Sequence, residues 1–396
     1  MSRFALAFVF AAALGACSTT PRDEGGRVVS VDRPDLPLAR ATPEELARFQ
    51  DGDALFEVSF READGLGPLY VRASCSGCHA GDGRGPGVIQ KMVAQTATAR
   101  AFPHGNTERP YVTAGATTPL VAGPEDRVTR RLPPAVFARG YLEAVADQEI
   151  ERVALAAGAR GGTIRGRIHR VRYASEPHPR PGFPAVKHGD EHLIGRFGLK
   201  ARIAALDDFA ADALAGDMGI TSPLRPAEHP NPDGLADDLK PGVDATLETV
   251  NLLADYVRLL ELPERLLPTA RGAELFARAL CAECHVPSLR TRSDYPIRSL
   301  ADIDAFVYTD LLLHDMGEGL ADGVSDGDAG PREWRTAPLV GLRFAPALLH
   351  DGRAETVDEA VQAHLSPGSE ANVSIERYLA LSAADRHELV AFVEAL

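Results

Sequence analysis

Cys75-Ser76-Gly77-Cys78-His79 returns later in the chain as Cys281-Ala282-Glu283-Cys284-His285. C-x-x-C-H is the attachment signature of c-type haem. Two thiols add across the vinyl groups of the macrocycle, and the adjacent imidazole supplies the proximal iron ligand. Cys75, Cys78, Cys281 and Cys284 are therefore the expected points of covalent attachment. His79 and His285 are the expected proximal ligands. Two other readings of a C-x-x-C pair stand beside this one. Zinc takes four ligands, usually from two closely spaced pairs, and here the pairs are far apart. A thioredoxin-like dithiol needs no histidine after its second cysteine, yet one follows both pairs.

Composition sets the frame around the motifs. The chain has 396 residues, enough for two or three domains with cores of their own. A net charge of −14 argues against nucleic-acid binding. An acidic surface suits a basic electron-transfer partner, although acidic surfaces are common. Of the five cysteines, four belong to the motifs and the fifth is Cys17, so none is left for a disulfide.

The N-terminus reads as an export signal. Arg3 precedes an apolar run from Phe4 to Leu14 that is too short to span a bilayer. Leu14-Gly15-Ala16-Cys17 is similar to a bacterial lipobox. Residues 1–16 are the expected signal peptide, Cys17 the expected lipidation site, and 17–41 a polar tether. The alternative is an ordinary signal peptide with an incidental cysteine. Ser18 after the cysteine is in keeping with outer-membrane sorting. The protein would then face the periplasm and meet a membrane only through its lipid anchor. No later segment is apolar enough for a span.

Helix signals bracket both motifs. Thr42-Pro43-Glu44-Glu45 predicts a capping box with proline in the first turn, opening a helix through Leu46 and Phe49 towards Phe56. Gly272–Leu280 is helical by pattern. Leu253, Tyr256, Val257 and Leu260 repeat at i, i+3, i+4, i+7, and so do Leu389, Phe392, Val393 and Leu396. Ser382 with Asp385 predicts a capping box for the second of these helices. A helix, the motif, loops and a closing helix make the cytochrome c plan. The expected fold is mainly α, with two cytochrome c-like domains in tandem over 42–262 and 268–396. The first carries a long insertion, with loops over 103–130 and 174–190 and a helix pair over 134–157. Tyr70 and Phe276 each lie five residues before the first cysteine of their motif, which marks them as repeat equivalents. Arg131-Leu132-Pro133-Pro134 parallels Arg335-Thr336-Ala337-Pro338. Such arginines suit haem propionates or surface ion pairs.

Distal ligands separate carriers from enzymes, because a sixth ligand blocks the iron. Met218 and Met316 both sit in Asp-Met-Gly contexts, as ligands or as packing residues. Thr356 and Glu359 predict a capping box for a helix over 357–364. Val357, Val361 and His364 then share one face, where His364 is a ligand or a satisfied core histidine. Glu143 is the candidate acid–base group for moving a peroxide proton, against a solvated role. Trp334, the sole tryptophan, is a structural indole or an electron relay between the haems. Asp322, Asp326 and Asp328 form an acidic loop that offers oxygens to calcium but lacks EF-hand spacing; a solvated turn is the default.

Together these residues resemble the di-haem oxidoreductase family, also labelled thiol oxidoreductases. The family is similar to bacterial di-haem cytochrome c peroxidases and to the di-haem enzyme that matures tryptophan tryptophylquinone. The match is most specific at the two haem motifs, at Leu311–Gly317 and at Leu349–Arg353. The resemblance implies two haems c, a periplasmic location and redox chemistry. In the peroxidase relatives the C-terminal haem is the electron-entry site, and its distal ligand follows a stretch like 357–361. His364 occupies that place, where the relatives carry methionine or tyrosine. Leu199 stands after Gly195-Arg196-Phe197-Gly198, where the family often has an aromatic residue. The thiol label finds no free cysteine here. The expected function is a peroxidase-like oxidoreductase, with a cytochrome or small electron carrier as redox partner and peroxide as substrate. The alternatives are a non-catalytic electron-transfer cytochrome with both irons six-coordinate, and a haem-free lipoprotein with structural metal.

Overall fold

Local capping sets where the helices begin. In the computed structural model, which describes residues 35–82, 85, 87–94, 102–113, 115–175, 178–184, 192–235, 242–266 and 268–396, Thr42 Oγ1 accepts the Glu45 N–H and the Glu45 carboxylate accepts the Thr42 N–H. Thr356 and Glu359 make the same reciprocal pair, and Ser382 Oγ accepts the Asp385 N–H. The two boxes are as the sequence predicts; at Ser382, where a box is also expected, only the hydroxyl half forms. The expected leader, Cys17 and most of the tether lie outside the described residues.

Nine α-helices lie among the described residues: α1 (Pro43–Phe56), α2 (Arg139–Ala144), α3 (Asp147–Arg160), α4 (Leu206–Ala213), α5 (Leu247–Leu259), α6 (Ala270–Arg278), α7 (Val357–Gln362), α8 (Asn372–Leu379) and α9 (Ala383–Glu394). The helix pair expected over 134–157 is α2 and α3. Five two-stranded antiparallel sheets stand between the helices. They pair β1 (Leu69–Tyr70) with β3 (Tyr111–Val112), β2 (Ile89–Ala94) with β4 (Asp126–Arg131), β5 (Arg170–Val171) with β6 (Leu193–Ile194), β7 (Leu289–Arg290) with β8 (Asp304–Ala305), and β9 (Leu313–Asp315) with β10 (Glu333–Arg335). The fold is thus a mixture of helices and small sheets, which corrects the mainly α expectation. The physical reason is visible in β4, Asp-Arg-Val-Thr-Arg-Arg. Its single apolar residue gives no alternation to read, yet it pairs along its full length with β2. Met92 of β2 is buried with Leu69 and Leu120, as a packing residue.

The internal repeat survives as a pair of helix crossings. α1 packs on α5, and α6 packs on α9. Each crossing has a glycine with no room for a side chain. A Cβ on Gly52 would stand 2.6 Å from the Leu252 carbonyl oxygen and 2.7 Å from Tyr256 Cβ. A Cβ on Gly272 would overlap Phe392 Cβ. Four residues after each glycine comes a phenylalanine. Phe56 contacts Tyr256 and the His79 ring, and Phe276 contacts Phe392 and the His285 ring. Phe56, not Tyr70, is therefore the equivalent of Phe276; Tyr70 sits in β1 against Tyr111. Counting back from the cysteine misleads because residues 57–74 separate α1 from its motif. Gly52→Ala and Gly272→Ala are each expected to destabilise the folded protein by about 1–3 kcal/mol through overpacking. Thermal melts of the variants check this; an unchanged melting temperature for both would show that the crossings tolerate a methyl group.

The larger core draws on both sides of Leu262. Leu289, Tyr295, Leu300 and Leu312 pack in one cluster with Phe49, Phe56 and Leu253. A smaller cluster gathers Leu275, Phe276, Tyr308, Val357, Tyr378 and the apolar face of α9. No helix among the described residues is long and apolar enough to cross a membrane.

Candidate functional site

The two cysteine motifs fold alike. The His79 N–H donates to the Cys75 carbonyl at 3.0 Å, and the His285 N–H to the Cys281 carbonyl at 2.9 Å. This tight turn keeps two sulfurs and one imidazole together. At the first motif the chain returns over Cys78 at Gly87, where a Cβ would stand 2.7 Å from the sulfur. Each motif then borders its own apolar cavity. The first, about 110 Å³, is lined by Cys75, Cys78 and His79 together with Phe56, Phe197, Phe209, Leu253 and Val257. The second, about 270 Å³, is lined by Cys281, Cys284 and His285 with Phe276, Leu339, Leu342, Ile375 and Leu389. All four cysteines are free of disulfides. Burial pushes the Cys75 and Cys281 thiols up to about 12, away from the thiolate that dithiol chemistry needs. Paired thiols, an adjacent imidazole and an apolar slot are the donor set and setting of a covalently held haem, so the residues fit the group at both places.

In the second cavity two histidines are prepared as ligands. His285 Nδ1 meets the Tyr308 carbonyl at 3.1 Å, and His364 Nδ1 meets the Ala360 carbonyl at 2.6 Å. A carbonyl only accepts, so each Nδ1 carries the proton and each Nε2 keeps a lone pair. Burial pulls His285 down to about 4. Burial also lowers His364. Both imidazoles are thus neutral, as iron requires. Met316 lines the same cavity.

α4 and α7 show what differs between the cavities. Leu206-Asp207-Asp208 opens α4 and Val357-Asp358-Glu359 opens α7. Counted from these starts, Leu206, Phe209, Ala210 and Ala213 line the first cavity, while Val357, Ala360, Val361 and His364 line the second. The tyrosine contacts match too: Tyr173 O–H donates to Asp207, and Tyr378 O–H to Asp358. Ala213 therefore holds the place of His364. A five-residue π-turn, Leu214–Met218, continues α4. Met218 lines the first cavity but is packed into the larger core.

Glu143 is not placed for acid–base work, which corrects the sequence expectation. It is 1% exposed and lines neither cavity. Its carboxylate accepts Arg258 Nε at 2.6 Å, Arg258 Nη2 at 3.1 Å, the Tyr295 hydroxyl at 2.7 Å and the Leu206 N–H at 2.7 Å. It ties α2 to α5 and to the first turn of α4, so it positions the helix that ends at Ala213. The titratable carboxyl at the first cavity is Asp217. Burial and the neighbouring Asp212 charge push it up to about 6, against Lys91, Arg202 and Arg109.

The acidic loop that offers oxygens to calcium is engaged by the protein's own cations. Asp322 accepts Arg131 Nε at 2.8 Å, and Asp326 accepts Arg131 Nη1 at 2.6 Å. Lys200 Nζ lies 3.8 Å from Asp322 Oδ1. Cations from the protein already neutralise the loop, so Arg131 has acid partners of its own. Trp334 lines the second cavity and not the first. Its ring stacks on His350 at 3.9 Å, Lys200 Nζ stands 3.8 Å over it, and Nε1 donates to the Leu320 carbonyl. A cation against the indole face opposes its oxidation, which favours the structural role over the relay.

Sequence reasoning missed His314. Its Nε2 meets Asp310 at 2.9 Å and its Nδ1 meets Glu370 at 2.8 Å. Burial disfavours its charge, but the Asp310 carboxylate raises its pKa well above the usual histidine value. With both nitrogens donating, no lone pair remains for a metal. Cys284, Asp310 and His314 are close enough to share an ion, which is what the structural-metal alternative has to offer among the described residues. The cavities meet at Pro134, Ala135, Arg139 and Arg335, each of which lines both.

The family profile described as "Di-haem oxidoreductase, putative peroxidase" matches residues 9–98 and 124–396. No curated protein matches. Among solved structures, the chain is similar to a hydrazine synthase chain of Kuenenia stuttgartiensis at 12% identity, covering 99% of this chain and 100% of that one with a TM-score of 0.41. It is similar to a MauG-like protein associated with microbial copper homeostasis at 14% identity, covering 92% of each chain with a TM-score of 0.43. Likenesses this distant carry no argument about chemistry. The family match spans nearly the whole sequence, and by it the protein belongs to the di-haem oxidoreductases.

Proposed function

We propose that the protein is a peroxidase-like oxidoreductase with two covalently attached haems c, electron entry at the second and an open first site. The observation that carries this reading is Ala213 in the place of His364. His285 and His364 offer two neutral imidazoles to one iron, a closed arrangement suited to passing electrons. His79 offers one, and at the position equivalent to His364 the first cavity is lined by the methyl group of Ala213. Bound at these two places, the haems supply an electron store at the closed site and peroxide reduction at the open one.

The chain's own residues complete the task. Phe197, Leu206, Phe209 and Ala210 give the first cavity an apolar wall. Asp217, held near 6, is poised to hold and release a proton there. Net acidity suits docking of a basic cytochrome or small electron carrier. The leader and Cys17 support a lipid-anchored protein of the bacterial cell envelope, facing the periplasm. A non-catalytic electron carrier is the second reading, and Met218 favours it as a thioether lining the first cavity.

Steady-state oxidation of a reduced cytochrome by hydrogen peroxide tests the enzyme reading, with the protein fully oxidised and half-reduced. Turnover is expected in at least one state. Asp217→Asn is expected to slow it by about 10²–10⁴-fold, the usual weight of a proton-transfer group, with the haem spin states unchanged. No turnover in either state would leave the carrier.

A further inference from the structure

Among the described residues Arg335 has no carboxylate within ion-pair distance, unlike three other deeply buried arginines. Arg258 pairs with Glu143, Arg196 with Asp147, and Arg131 with Asp322. Arg335, at the end of β10, is 6% exposed. Its guanidinium makes two hydrogen bonds, both to neutral carbonyls: Nε to Gly198 at 3.1 Å and Nη1 to Thr336 at 3.0 Å. Burial pulls its pKa down to about 10, and Asp310, the one acid among the described residues whose charge supports it, does not offset that. A buried cation without an anion is costly to keep, by several kcal/mol. Five N–H groups in a rigid fork, of which two are engaged, are built to take carboxylate oxygens.

Its position says which carboxylates. Arg335 lines the first cavity beside Gly198 and the second beside Thr336. Those two carbonyls are also the ones that hold it, so the guanidinium is fixed at the junction. Apart from Arg139, the rest of that junction, Pro134 and Ala135, is uncharged. Each haem carries two propionate groups. We propose that Arg335 is a shared carboxylate receptor, pairing with one propionate from each haem and holding the two groups in register for electron transfer between them. This rests on the di-haem reading.

Potentiometric titration of the full chain carrying both haems tests it. Arg335→Gln removes a positive charge next to both sites. Both midpoint potentials are expected to fall, and the propionate bending bands of both haems to shift in the resonance Raman spectrum. Arg335→Lys restores the charge but not the fork. It is expected to keep both potentials near the wild-type values while the bands still move. An arginine near the haems that does not pair with them would act on the potentials through its charge alone and leave the propionate bands of Arg335→Lys unmoved. Unmoved potentials in Arg335→Gln overturn the proposal, and so does a shift confined to one haem. Should Arg335→Gln yield no haem-loaded protein, Arg335→Lys decides, and unshifted propionate bands in it overturn the proposal. Wild-type protein lacking covalent haem is a separate readout and would defeat the di-haem reading underneath.

Discussion

His364→Ala is expected to convert the ferric second haem from low-spin to high-spin and to let it bind cyanide. The reciprocal change, Ala213→His, is expected to close the first haem and abolish peroxide turnover. Both follow from the equivalence of α4 and α7, whose cavity-lining residues fall at the same offsets. An imidazole at the end of α7 has its Nδ1 held by the backbone one turn earlier, which aims its lone pair away from the helix. The counterpart of Ala360 at the end of α4 is Phe209, one turn before Ala213, and it too lies on the cavity wall. Optical and magnetic spectra of the two variants read the outcome directly. A His364→Ala protein whose second haem stays low-spin would mean that Met316, or another group, is the ligand. An Ala213→His protein with undiminished turnover would mean that the first cavity is not the reacting site.

Glu143→Ala is expected to cost about 3–5 kcal/mol of stability, the usual result of removing one partner from a buried ion pair. Arg258 is fully buried, and the Glu143 charge is what holds its pKa well above the ordinary value, against burial. Truncation strands that guanidinium and leaves the Tyr295 hydroxyl and the Leu206 N–H without their acceptor. Glu143→Gln keeps the shape and one oxygen, so its loss is expected to be smaller. Chemical denaturation of the haem-loaded variants measures both. If Glu143→Gln instead kept full stability and lost turnover, the acid–base role read from the sequence would return.

What the sequence made legible was local. The C-x-x-C-H turns and the caps at Thr42, Thr356 and Ser382 depend on residues three or four apart, and all form where their spacing predicts. His364 was found because its helix has a clear cap and an apolar face. Ala213 was not, because the signal is a side chain that is missing; the clue lay in the parallel openings of the two helices. Glu143 was misread because its partner, Arg258, is 115 positions away. Nothing in a local pattern distinguishes a solvated glutamate from one that a distant arginine pulls inside. The pairing of Tyr70 with Phe276 failed for another reason. Matching offsets from the cysteines ignore an insertion, whereas the glycine crossings preserve the true equivalence of Phe56 and Phe276.

The central claim is that one chain holds two haems of unlike coordination, open at His79 and closed between His285 and His364. Electron paramagnetic resonance of the fully oxidised, haem-loaded protein tests it most directly. The account predicts one high-spin and one low-spin ferric signal in equal amounts. Two low-spin signals, or protein that carries no covalently bound haem at all, would contradict it.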